Sequence, residues 1–141
     1  MRPPLALLAG LLAVGCTNPE RGQQLYLMSC ASCHQPDGRG MEGVGPPLAG
    51  SSWVTGPPER LILISLHGVR GPIMVGGASY NLEMPPMGFF SDGDMAALLT
   101  HTRRAWGNSA GPVSADDVRR VREAARDRGD SWTIEELLER R

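Results

Sequence analysis

A chain of 141 residues allows one ordinary domain and little more. Its 14 basic residues, all Arg, stand against 15 Asp and Glu, so there is no strong positive field to hold a phosphate backbone and no nucleic-acid partner is expected. Gly (18) and Pro (12) are abundant and aromatics make only 5%, which implies ordered loops around a thin core that needs a metal, disulfides or a cofactor to fill it.

Residues 1–16 read MRPPLALLAGLLAVGC. Arg2 is a short positive start, and Leu5 to Val14 is an apolar run too short to span a bilayer but suited to a signal-peptide core. Ala13, Val14 and Gly15 before Cys16 resemble the lipobox of bacterial lipoproteins, although Leu usually stands where Ala13 is. The resemblance implies cleavage after Gly15 and lipidation of Cys16. An ordinary secretory cut near Cys16, leaving a free thiol, is the alternative. Several acyl chains, at roughly 0.8 kcal/mol per buried CH₂, would anchor the chain without a spanning helix.

Asn18-Pro19-Glu20 predicts a helix start, with Asn as cap and Pro in the first turn, running to about Cys33. Residues 35–56, rich in Gly and Pro, read as loop. A second helix is expected from Thr55 to Leu66, capped by Thr55 or Gly56, with Leu61, Ile64 and Leu66 as its apolar face and Gly68 as its stop. Ile73-Met74-Val75 and Ala78-Ser79-Tyr80 flank Gly76-Gly77, a hairpin pattern. Ser91-Asp92-Gly93-Asp94 opens a helix that should reach Trp106. In the last 35 residues, Ser114-x-x-Asp117 opens a helix with Val118, Val121 and Ala125 inward. Thr133-x-x-Glu136 opens a shorter one with Ile134, Leu137 and Leu138. That tail carries 7 Arg and 8 acidic residues, so its polar faces should be solvated. The fold is expected to be mainly α.

Residues 30–34 read CASCH. Cys-x-x-Cys alone fits a redox disulfide, half a zinc site or a haem attachment, but the adjacent His34 makes it the c-type haem signature. On one helical turn Cys30 and Cys33 share a face, where each sulfur can bond one haem vinyl group, and His34 can reach the iron from the same side. A thioredoxin-like site wants a preceding strand, and zinc wants four close ligands, whereas His67 and His101 stand singly. Gly38-Arg39-Gly40-Met41-Glu42-Gly43 satisfies G-x-G-x-x-G, but without a strand before it no nucleotide is expected there.

Residues 20–106 resemble a class I, mono-haem c-type cytochrome, of the kind associated with dehydrogenases, nitrite reductases and related periplasmic enzymes. The resemblance implies three to four helices wrapped around one covalent haem c. Around them lie a signal peptide (1–15), a lipidated N-terminus and linker (16–19) and a helical C-terminal extension (107–141). Gly22 and Tyr26 match the family's small-plus-aromatic contact with its last helix, where Leu98 and His101 fall; His101 replaces the commoner Tyr and is either a packed ring or a stray ligand. Gly45-Pro46-Pro47-Leu48 matches the segment whose Pro carbonyl, here that of Pro46, accepts a hydrogen bond from the proximal His Nδ1–H. Leu48 and Trp53 should pack against the haem or the loops beneath it. Met84, before Pro85 and Pro86, matches the sixth iron ligand, with Met87 the other candidate and more suited to packing.

His34 and Met84 as iron ligands imply a closed site, a raised potential and one-electron transfer rather than catalysis. The partners implied are a dehydrogenase, reductase or oxidase, met on the periplasmic face of a bacterial membrane. A haem enzyme or a gas or redox sensor with Met84 displaced is the alternative, and a haem serving only to stabilise a complex is a third reading. Without Lys, docking candidates reduce to Arg39, Arg60, Arg70 and the rim at Met87-Gly88-Phe89-Phe90.

Overall fold

The computed structural model describes residues 19–140; residues 1–15, the Cys16 acceptor and the Asn18 cap lie outside the described residues. In chain order its elements are α1 (Pro19–Ser29), α2 (Ala31–His34), α3 (Ser52–Thr55), α4 (Pro58–His67), β1 (Val69–Arg70), β2 (Ile73–Val75), β3 (Ala78–Tyr80), α5 (Asp92–Arg104), α6 (Ala115–Ala124), β4 (Trp132–Thr133) and α7 (Ile134–Glu139). The architecture is mainly helical, as the sequence predicts.

α1 buries Gly22, Leu25 and Tyr26 on one stripe, the i, i+3, i+4 spacing of a single face. That stripe meets α5. The approach is close enough that a Cβ on Gly22 would stand 2.3 Å from the Ala97 carbonyl oxygen. At the edge of the contact Arg21 grips Asp94 with Nε and Nη2, at 2.8 and 2.9 Å. The expected single helix to Cys33 is interrupted. Cys30 sits at φ −116°, ψ −34°, off the helical minimum, so α1 closes at Ser29 and α2 restarts beyond it.

The expected loop 35–56 contains α3, which Ser51 caps by accepting from the Trp53 amide. Thr55 and Gly56 do not cap α4: Pro57 stands at its N-cap with no side-chain bond, and Thr55 Oγ1 donates back to Ser51. The apolar face expected on α4 is too narrow, because all six residues from Leu61 to Leu66 are buried. The hairpin β2–β3 forms in the predicted register, Val75 opposite Ala78. Gly76 and Gly77 supply the two positive φ values, 59° and 83°, that a two-residue turn needs.

α5 starts at the predicted Ser91 cap but stops at Arg104, before Trp106, which takes φ 53° and donates its indole N–H to the Pro36 carbonyl. Arg103, though 5% exposed, satisfies three carbonyls, those of Val54, Gly56 and Gly111. α6 and α7 both open on reciprocal capping boxes, Ser114/Asp117 and Thr133/Glu136. Val118, Val121, Ala125 and Leu137 are buried as expected, but Leu138 is 54% exposed, since consecutive residues on a helix point about 100° apart and Leu137 takes the inward side. The tail's polar side is only partly solvated, for Arg122 and Arg128 are committed to bonds with protein groups. A parallel pair, β1 with β4 (Val69 opposite Trp132), ties the tail to the body.

Gly22→Ala is expected to cost about 1–3 kcal/mol, because Ala97 belongs to helix backbone and cannot yield cheaply. Denaturant unfolding measures it, and an unchanged midpoint would mean that the helices do not touch there.

Candidate functional site

The turn from Cys30 to His34 is closed by two backbone bonds, from the His34 and Cys33 amides to the Cys30 carbonyl, at 2.9 and 3.1 Å. It ends at Gln35, whose φ of 60° turns the chain out of the helix, and the Tyr26 hydroxyl donates to the Gln35 carbonyl at 2.6 Å. Tyr26 itself is pinned by the rings of Trp106 and His101, centroids 4.7 and 5.8 Å away. His101 is therefore the packed ring, and it is absent from the cleft described below.

The following loop doubles back over α2. Gly40 donates to the His34 carbonyl, Leu48 and Ala49 both donate to that of Gly38, and Met41 bridges Gly45. The amides of Gly38, Arg39, Gly40 and Met41 in the glycine motif thus donate to Gln35, Asp37, His34 and Gly45, and the motif follows a helix rather than a strand. Glycine is required at 45, where a Cβ would stand 2.7 Å from the Cys33 carbonyl oxygen. Past that contact the Pro46 carbonyl reaches His34 Nδ1 at 2.8 Å. A carbonyl can only accept, so Nδ1 carries the proton and Nε2 is left as the lone-pair nitrogen. Nε2 has no hydrogen-bond partner among the described residues. Burial holds the imidazole below its ordinary pKa, against the raising effect of the Pro46 carbonyl, so the neutral, ligating form is favoured.

Cys30, Cys33 and His34 line one cleft together with Pro46, Leu48, Met84 and Met87. Its remaining walls are largely apolar, from Trp53, Leu61, Ile64, Val69 and Leu98, with the hairpin closing a side through Ile73, Val75 and Tyr80. Burial, with Cys33 adjacent, pushes the Cys30 thiol up to about 12, while Cys33 is exposed. No three His, Cys, Asp or Glu side chains among the described residues are grouped to hold a metal ion by themselves. Two thiols and a lone-pair imidazole on one turn, facing an apolar cleft, suit an iron that comes within a flat apolar ring. The residues present fit the haem that the sequence resemblance implies.

Met84 is held by its backbone, its N–H donating to Val69 at 2.9 Å and its carbonyl accepting from Val69 at 3.2 Å. Met87 is 7% exposed, a packing residue that also lines the cleft. Met28, Met41 and Met74 are exposed, and Met95 is wholly buried beyond the cleft. Of the docking candidates, Arg60 has its guanidinium over the Trp53 ring at 4.4 Å and donates to the Ser52 carbonyl. Arg39 is exposed beside Asp37 and Phe89 is 76% exposed. Sequence reasoning missed Asn108, whose amide bonds Gly50, Leu48 and Thr102 and so fastens the loop beneath the cleft to the end of α5. Its signal in the sequence was a place in the Trp106-Gly107-Asn108 stretch, which resembles dehydrogenase-associated cytochrome domains.

The family described as Cytochrome c matches residues 19–106. A cytochrome c-552 of Thermus thermophilus is 37% identical over 125 residues, covering 82% of this chain and 82% of the relative. The cytochrome c subunit of the quinone alcohol dehydrogenase of Gluconobacter oxydans is 38% identical over 107 residues, 72% of this chain but only 22% of that subunit. The gluconate 2-dehydrogenase cytochrome c subunit of Pantoea cypripedii is 34% identical over 110 residues, 73% of this chain and 24% of the subunit.

Gly45→Ala is expected to push the Pro46 carbonyl away from His34. In the haem-loaded protein the His34 Nδ1 proton should then exchange faster with solvent, by NMR, with a stability loss of about 1–3 kcal/mol. Unchanged exchange would separate that proton's protection from the close loop.

Proposed function

This chain belongs to the cytochrome c family, and we propose that it carries electrons with His34 and Met84 as the axial ligands of its haem iron. Family membership brings covalent haem c, an electron-transfer role and no catalysis of its own. When bound, the haem supplies a one-electron couple at its iron. Cys30 and Cys33, both lining the cleft, would hold the ring by two thioethers. Pro46 orients His34 and fixes its tautomer, which raises the basicity of Nε2. Met84 offers a soft thioether from a segment that Pro85 and Pro86 stiffen, so little entropy is lost in presenting it. Leu48, Trp53 and Leu98 line the cleft and would exclude water from a bound haem, which with the thioether would favour its reduced state. The observation that carries this reading is the His34 Nδ1 bond to the Pro46 carbonyl, which leaves Nε2 as the lone-pair nitrogen of a residue that lines one cleft with Met84.

The partners proposed are dehydrogenases, since several relatives are cytochrome subunits of such enzymes. Electrons would pass between such a partner and the haem domain by docking. Among the described residues no helix is long and apolar enough to cross a membrane. We assign membrane attachment to a lipid on Cys16, after export and removal of residues 1–15. That placement puts residues 20–106 as the haem domain and 107–141 as its extension on the periplasmic side.

Met84→Ala is expected to abolish the weak red sulfur-to-iron absorption band and lower the reduction potential, while Met87→Ala keeps the band. Optical spectra and redox titration read both. A band that survives Met84→Ala and vanishes in Met87→Ala would reassign the ligand.

A further inference from the structure

The last segment of the chain makes bonds that the electron-carrier reading does not use. Arg122 of α6 donates from Nη1 to the Gly88 carbonyl at 2.7 Å, from Nη2 to the Phe90 carbonyl at 2.8 Å, and from Nε to Asp92 at 2.8 Å. One guanidinium therefore satisfies two carbonyls of the segment that follows Met84, in the fixed fork that only Arg provides. Ahead of Met84, Ser131 donates its hydroxyl to the Glu83 carboxylate at 2.5 Å.

The two grips meet through β1. Met84 pairs with Val69 by both backbone groups, and Val69 pairs in turn with Trp132, whose N–H donates to the Gly68 carbonyl at 3.1 Å. Gly68 has φ 79°, and a Cβ there would lie 2.3 Å from the Met84 carbonyl oxygen and 3.2 Å from Ser131 Oγ. The tail, β1 and the Met84 segment are thus in mutual contact at one point. Between the two grips, Met87 donates to the Ser65 carbonyl at 2.9 Å, and a Cβ on Gly88 would stand 2.9 Å from that of Leu66. Among the described residues, the hydrogen bonds that tie the segment from Glu83 to Phe90 to α4, β1 and the tail run to Ser65, Val69, Arg122 and Ser131.

We propose that the tail is a brace on the ligand segment: Arg122 and Ser131 are positioning residues that hold Met84 in the cleft and so set how readily another ligand takes its place. The proposal rests on the reading of Met84 as an axial ligand. A competing ligand binds only the fraction of molecules in which Met84 has swung out, so its apparent affinity reports that fraction. Removing a charged donor that two carbonyls share should raise that fraction by a large factor.

The test uses the oxidised, haem-loaded full chain titrated with free imidazole and followed by the red band. Arg122→Ala and Ser131→Ala are each expected to start with the band intact, to bind imidazole about tenfold more tightly, and to show faster amide exchange at Met84 and Met87. Gly22→Ala, which loosens the distant α1–α5 contact, controls for general loss of stability and should stay within about twofold of the parent. The brace is overturned if both tail variants also stay within that range, or if Gly22→Ala shifts affinity as much as they do. Met84→Ala keeps the two readings apart. If it leaves the band in place, the ligand assignment fails; if it removes the band while the tail variants bind imidazole like the parent, only the brace fails. Should Arg122→Ala not fold, Ser131→Ala decides alone.

Discussion

The hydrogen bond from His34 Nδ1 to the Pro46 carbonyl is the constraint from which the rest of the site follows. It decides which nitrogen of the imidazole keeps its lone pair and which way the ring faces. To make it, the chain after α2 must return within van der Waals range of the helix it has just left. That return explains the glycines. Gly45 passes the Cys33 carbonyl and Gly40 passes the Gly45 carbonyl too closely for any side chain. It also explains Asn108 and Trp106, two residues beyond α5 whose side chains bond the carbonyls of Leu48 and Pro36 and keep the loop from opening.

The scaffold around that bond is built so that little needs to move. α1 and α5 touch through glycine on one side and a paired Arg21–Asp94 on the other. α4 is buried from Leu61 to Leu66, and just past its end Gly68 and Val69 meet the Met84 segment. An electron carrier gains from such rigidity, since any ligand or loop that shifts between redox states adds to the cost of transfer. The cleft is lined largely by apolar side chains, which would keep water from a bound haem without a lid.

What could be read from the sequence was local. Cys-x-x-Cys-His spans one turn, Gly76-Gly77 spans one hairpin, and each capping box spans four residues; in all of them the residues that carry the pattern are also the ones that touch. The Pro46 bond was within reach because it crosses only twelve positions and sits beside a proline-rich stretch that the family shares. The parallel pairing of Val69 with Trp132 joins distant parts of the chain through two-residue strands, too short to leave any periodicity. Arg103 and Arg122 look like ordinary helix-surface arginines, and nothing in their neighbours reveals that each will satisfy carbonyls from remote loops. The break at Cys30 and the exposed Leu138 depend on how helices meet, not on their composition.

The central claim is that one turn of helix binds the porphyrin covalently through Cys30 and Cys33. Mass analysis of the peptide spanning residues 22–39, from protein matured where haem can be attached, tests it most directly. The account predicts that this peptide carries the added mass of one haem and that neither thiol takes an alkylating reagent. Two alkylated thiols on a peptide of unmodified mass would contradict it.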